Sequence, residues 1–153
     1  MPINATLLIS VGELSVRKNH KVVVEALQSL PDDYWYVIVG KGDLKDELEK
    51  MDHTGRLKLL GFRTDIKELL WCSDLFVFPS LQEGLPVALM EAMAAGLPVV
   101  ASDIRGNRDL TENLVGGNTP WSQELQHEHN NSQLDERFWK ANIEIQMKAI
   151  YGE

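Results

Sequence analysis

Leu75-Phe-Val-Phe-Pro79-Ser80-Leu-Gln-Glu83-Gly84-Leu85-Pro86-Val87-Ala-Leu-Met-Glu91-Ala-Met-Ala-Ala-Gly96-Leu-Pro98 is the stretch from which the fold can be read. An apolar run stops at Pro79. A Gly-containing turn follows, and then a pattern that reads as a helix starting near Pro86. A strand entering a helix through such a turn leaves backbone N–H groups free at one point. That point suits an anion, and phosphate is the usual one.

On both sides the same unit recurs. Toward the N-terminus, Ala5–Val11 is an apolar run ending at Gly12, followed by a polar loop and a helix over His20–Leu30, with Asn19 as its expected cap. Tyr34–Val39 ends at Gly40-Lys41-Gly42 and leads into a helix from Asp43 to about Met51. Arg56–Leu60 ends at Gly61-Phe62-Arg63, and Thr64 or Asp65 caps a short helix over Ile66–Cys72. Beyond the central stretch, Gly96 reads as a helix-ending residue, Pro98–Ser102 as a fifth strand, the residues around Gly106 as a loop and Arg108–Asn113 as a helical turn. Strand and helix alternate five times, and the strands are continuous apolar runs. That pattern predicts a doubly wound parallel sheet covered on both faces, a three-layer α/β/α fold. Ligands of such sheets sit beyond the carboxyl ends of the strands. After Val115 the pattern breaks at Gly116-Gly117-Asn-Thr-Pro120. The chain is therefore read as a sheet domain over 1–115 and a loose linker with a closing helix over 116–153, packed on the same domain.

Composition removes several function classes. The net charge is −8 and Lys and Arg form no long run, which argues against nucleic-acid binding through a basic patch. No apolar run is long enough to span a membrane, and no signal peptide is evident. Cys72 is the single cysteine, so no intrachain disulfide forms and a cytoplasmic setting is expected. Its thiol is expected to pack inside, as free cysteines usually do. His20, His53, His127 and His129 fall on separate elements and read as surface residues, without metal-ligand spacing.

Glu83 and Glu91 carry the chemistry. Eight residues apart, they lie roughly 80° from each other around an ideal helix, and both can reach one cleft. An ionised carboxylate only accepts hydrogen bonds, so it suits the paired hydroxyls of a sugar or ribose. The amides at Gly84, Leu85 and Val87 suit a phosphate between them. The plainer reading is a locally paired Glu83 and a surface Glu91. Lys18, beside Arg17, could reach the same phosphate or be a solvated loop lysine. Gly40-Lys-Gly42 carries part of a dinucleotide fingerprint, but a tight turn that needs glycine explains it as well.

Glu83-Gly-Leu-Pro-Val-Ala-Leu-Met-Glu91 resembles the E-x7-E signature of the retaining glycosyltransferases of group 1, also called family 4. Asp74–Ser80, Glu91–Ser102, Val39–Gly42, Gly61–Arg63 and the Lys18 loop are similar to that family too, over about Leu7 to Glu112. The resemblance implies two Rossmann-like halves in the GT-B arrangement, of which this chain looks like the C-terminal, donor-binding half. It implies that Glu91 binds ribose hydroxyls and that Glu83 faces the transferred sugar. Lys18, Gly12 and the amides of Gly84, Leu85 and Val87 would hold the diphosphate, and the backbone near Phe62 would border the base. No metal or other cofactor is implied. Where the family often has Gly-Arg after the first strand, this chain has Gly12-Glu13, with Arg17 as the available substitute. The segment Leu114–Trp121 is shortened relative to the family, and Trp139 on the closing helix is expected to lie exposed.

The function expected from the resemblance is sugar transfer from a nucleotide diphosphate sugar, with UDP-sugar as the first choice, to a saccharide or lipid-linked acceptor. The N-terminal domain would be missing here, and the fragment alone inactive. In the full-length protein a peripheral position at the inner face of the membrane is expected. The alternative is a non-catalytic or degenerate nucleotide- or sugar-binding module. An NAD(P)-dependent enzyme would rest on Gly40 and Gly42 alone.

Overall fold

Alternate residues of each inner strand go to opposite faces of one sheet, and each face meets its own helices. The computed structural model describes residues 1–102 and 104–115, the last five by backbone alone. The segment read as a linker and closing helix over 116–153, with His127, His129 and Trp139, lies outside the described residues.

The elements alternate as expected: β1 (Thr6–Val11), α1 (His20–Leu27), β2 (Tyr34–Val39), α2 (Lys45–Met51), β3 (Leu57–Gly61), α3 (Ile66–Trp71), β4 (Leu75–Phe78), α4 (Val87–Ala94), β5 (Val99–Ala101) and α5 (Arg105–Val115). All strands are parallel, in the order β3-β2-β1-β4-β5. In β1, Leu8 joins α1 and α2 on one face while Ile9 joins α3 and α4 on the other. Tyr36 and Ile38 of β2 follow Leu8, and Val37 and Val39 follow Ile9; Val77 and Phe78 of β4 divide in the same way. This two-sided burial is why the strands read as unbroken apolar runs. Each fully buried large side chain contributes about 1.5–3 kcal/mol by leaving water.

α4 ends as its sequence suggests. Gly96 adopts φ +79, and Leu97 N–H bonds the Ala92 carbonyl at 3.1 Å. A glycine supplies that left-handed turn without strain. Three local expectations are corrected. Asn19 does not cap α1: it takes φ 57, and its Nδ2 donates to the Pro79 carbonyl at 3.2 Å instead. Gly106 lies in the first turn of α5, which starts at Arg105, ahead of the Arg108 expected. Cys72 is exposed and not packed: it follows the last residue of α3, on the side that faces away from the sheet, while the next residue, Ser73, is the buried one.

The strand order reverses direction between β1 and β4, since the chain winds outward one way to β3 and the other way to β5. At that switch point the loops after β1 and β4 diverge, leaving a crevice at the carboxyl edge.

Candidate functional site

A cavity of about 540 Å³ opens at this switch point. One wall is the loop after β1, with Gly12, Glu13, Arg17 and Lys18. The other runs from Phe78 through Glu83, Gly84 and Leu85 into α4 as far as Glu91. Of the nine residues singled out in the sequence, only Phe62 lies outside. It sits just past β3, two strands from β1, with its side chain 70% exposed.

Lys18 Nζ donates to Glu83 Oε1 at 2.5 Å, and both side chains are mostly buried, at 14% and 7% exposure. The ammonium also lies 5.4 Å from the centre of the Phe78 ring. The lysine stem lies against Gly12, where a Cβ would meet Lys18 Cδ and Cε at 3.4 Å, an ordinary van der Waals contact. Ser80, fully buried, donates from Oγ to the same Glu83 oxygen at 2.9 Å. Glu83 Oε2 has no hydrogen bond among the described residues, so one lone-pair face stays open. Glu91 is exposed on the second turn of α4 and makes no ion pair among the described residues.

The N-terminus of α4 offers donors, though not quite those expected. Val87 N–H is bonded to the Leu85 carbonyl at 2.9 Å, in a tight turn around Pro86. Pro86 is the residue before the helix, not its first. Among the described residues the amides of Gly84, Leu85, Ala88 and Leu89 have no backbone acceptor. Four free N–H groups at a helix start, with the macrodipole behind them, attract an anion.

The site therefore joins amide donors and a lysine to two carboxylates with open lone pairs. That combination can hold a phosphate and hydroxyl groups together. A family model described as "Glycosyl transferases group 1" matches residues 2–138. This chain belongs to the group 1 glycosyl transferases. Among curated members, it is 40% identical over 124 residues to the UDP-Gal:alpha-D-GlcNAc-diphosphoundecaprenol alpha-1,3-galactosyltransferase of Escherichia coli, covering 74% of this chain and 32% of that one. It is 41% identical over 125 residues to the amylovoran biosynthesis glycosyltransferase AmsK of Erwinia amylovora, covering 72% and 31%. The chain thus spans about a third of the length of these relatives. The crystal structure of HepE from Anabaena, in complex with UDP and glucose, superposes with a TM-score of 0.69 at 27% identity, over 95% of this chain and 44% of that one. The GT-B assignment and the Rossmann-like sheet hold for this group 1 domain. No helix among the described residues is long and apolar enough to cross a membrane.

Gly40 and Gly42 do not line the cavity of this group 1 domain. They let two loops touch: a Cβ on Gly40 would sit 2.0 Å from the Gly12 carbonyl oxygen, and one on Gly42 2.3 Å from that of Leu14. A dinucleotide fingerprint would place them against the ligand, so they lend no support to an NAD(P) site.

Sequence reasoning missed His20, which is buried and not on the surface. Its Nε2 lies 3.0 Å from the Glu13 carbonyl, which can only accept, so Nε2 carries the proton and steadies the wall of the cavity. Ser10 Oγ donates to the Val77 carbonyl, so the Tyr36 hydroxyl donates to Ser10 at 2.7 Å. Nδ1 then faces a hydroxyl oxygen whose proton is committed elsewhere, at 3.3 Å. Burial first, then the charge of Lys18, lowers the His20 pKa from 6.5 to about 4, against the pull of the Glu13 and Gly12 carbonyls. The unfolded chain binds a proton in that window and the folded one does not. This contribution is complete above pH 6.5 and is lost as pH falls toward 4, by about 3 kcal/mol. Urea unfolding at successive pH values should show this loss, and His20→Gln should flatten that part of the profile.

Proposed function

We propose that this chain is the donor-binding half of a retaining glycosyltransferase that uses a nucleotide diphosphate sugar, with UDP as the nucleotide. The observation that supports it most is the meeting of Glu83, Glu91, Lys18 and the open α4 N-terminus in one cavity at the switch point. Glu91 accepts the ribose hydroxyls. Lys18 and the amides of Gly84, Leu85, Ala88 and Leu89 take the diphosphate. The base extends along the carboxyl edge of the sheet, past β2 toward the backbone of Phe62.

In transfer, the bond from the sugar's C1 to the diphosphate oxygen breaks, and one to an acceptor hydroxyl forms on the same face. The acceptor's proton leaves with the departing diphosphate. Negative charge growing on that diphosphate meets Lys18 and the helix amides, so no metal is required. Positive charge growing on the sugar ring meets Glu83. The E. coli relative is named for transfer to a diphosphoundecaprenol-linked sugar, and a saccharide or lipid-linked acceptor is proposed here by analogy. Acceptor binding falls to a part of the protein beyond this domain, so the isolated chain binds donor without transferring it. It would work at the inner face of the cytoplasmic membrane.

Calorimetric titration with UDP tests the site. Glu91→Ala should weaken binding about 100-fold, as loss of a charged acceptor for two hydroxyls costs about 3 kcal/mol. Unchanged affinity would remove Glu91 from the site.

One observation favours the alternative, a non-catalytic nucleotide- or sugar-binding module. The cavity holds three carboxylates, at Glu13, Glu83 and Glu91, against two cations, Arg17 and Lys18. Glu13 faces the anion that the site is proposed to take. Glu13→Arg reverses a charge at an exposed position and should tighten UDP binding severalfold, at most about tenfold or roughly 1.4 kcal/mol. No gain would mean that the diphosphate lies away from this loop.

A further inference from the structure

Glu83 stands on a loop, and loops need support to hold a carboxylate in place. Ser80 Oγ has one proton and gives it to Glu83 Oε1 at 2.9 Å. The Ser80 carbonyl, in turn, accepts from Ser102 Oγ just past β5, at 2.5 Å. Asn107 on α5 points both its amide hydrogens at the same serine, at 3.1 Å to Ser102 O and 3.1 Å to Ser102 Oγ. Ser80, Ser102 and Asn107 are all buried, and none lines the cavity.

A second contact reaches the loop by another route. A Cβ on Gly106 would lie 2.6 Å from the Glu83 carbonyl oxygen and 3.0 Å from that of Gly84. Both atoms are backbone and cannot rotate aside. The first turn of α5 thus rests directly on the loop, at a distance only glycine allows.

We infer that the junction of β5 and α5 positions Glu83, with Ser80, Ser102, Asn107 and Gly106 as positioning residues that never touch the ligand. This rests on the proposed donor site, in which Glu83 faces the sugar and Glu91 holds the nucleotide. A fault at the junction moves Glu83 first and reaches the diphosphate only through Gly84 and Lys18, so recognition of the sugar weakens more than that of UDP. Glycine to alanine in a helix ordinarily helps folding. At Gly106 it must instead push the Glu83 loop by about 0.8 Å to restore van der Waals distance.

The test compares the unaltered chain with Gly106→Ala, Ser80→Ala and a control, Val24→Ala, which loosens the core under α1. Each is titrated with UDP and with UDP-glucose, UDP-galactose and UDP-N-acetylglucosamine. Crystal structures of the unaltered chain and Gly106→Ala are solved alongside. The ratio of UDP-sugar to UDP affinity should fall about fivefold or more in the two junction variants, with UDP itself weakened less than any of the UDP-sugars. Val24→Ala should keep the ratio, whatever its melting temperature. Parallel loss of UDP and UDP-sugar, or an unchanged ratio, overturns the inference. If the unaltered chain binds none of the four, the donor site fails and the crystal structures decide alone. A displaced Glu83 with its Lys18 contact opened supports the junction's role, and an unmoved Glu83 refutes it.

Discussion

Gly40→Ala is expected to destabilise the domain by about 4 kcal/mol or more, and to abolish UDP binding in whatever fraction still folds. Gly40 has φ +146, a conformation that side chains avoid, and its added Cβ would fall 2.0 Å from the Gly12 carbonyl oxygen. Neither atom can yield cheaply. Gly12 N–H is bonded to the Val39 carbonyl at 2.9 Å, Leu14 N–H to that of Lys41 at 2.9 Å, and Gly40 N–H to that of Gly61 at 2.8 Å. The three loops that follow β1, β2 and β3 are laced together at one edge of the sheet. Moving Gly40 therefore moves Gly12, and with it the stem of Lys18. Urea unfolding and UDP titration should fail together. A variant that keeps native stability would show that the two loops separate without cost.

Arg56→Met is the second large effect, and it acts far from the cavity. The guanidinium is buried just before β3 and donates to four carbonyls: Pro31 at 2.7 Å, Tyr34 at 2.8 Å, Leu27 at 2.7 Å and Leu30 at 3.3 Å. It closes the C-terminal end of α1 and ties it to the start of β2. Met keeps most of the stem but removes all four charge-assisted hydrogen bonds; the Pro31 and Leu27 carbonyls keep only their backbone donors, Tyr34 N–H and Leu30 N–H. The loss is expected to be about 3–5 kcal/mol, seen as a melting temperature lower by about 10 °C or more. Arg56→Lys should recover less than half, because a single ammonium cannot serve a four-point fork. UDP affinity, measured below the transition, should stay unchanged.

Much of the fold was legible because two-sided burial leaves an unmistakable trace. A strand covered on both faces has no polar alternation, and each run here ended at a Gly or a polar cluster. The placing of Glu83, Glu91 and Lys18 followed from position at strand ends, which a doubly wound sheet brings to one edge. What failed to show was set by distant partners or by the course of a local turn. Arg56 looked like an ordinary strand residue because its acceptors lie 22 to 29 residues earlier. His20 looked like a surface residue at a helix start, yet Tyr36 and the Glu13 carbonyl enclose it. Asn19 has the chemistry of a cap, but Pro79 offered its side chain a different acceptor. Val87 N–H was counted as free because sequence does not say how Pro86 will fold back. Cys72 was placed inside by the habit of its residue type, and the end of α3 left it outside.

The two walls of the cavity are sewn to each other. Asn19 Nδ2 bonds the Pro79 carbonyl, Leu81 N–H bonds the Arg17 carbonyl at 2.8 Å, and Lys18 pairs with Glu83. Each stitch joins the loop after β1 to the loop after β4, 60 or more residues apart in the chain. In engineering terms they form one cassette. A graft meant to alter donor preference has to carry residues 12–19 and 79–84 together, since either half alone arrives with its stitches cut.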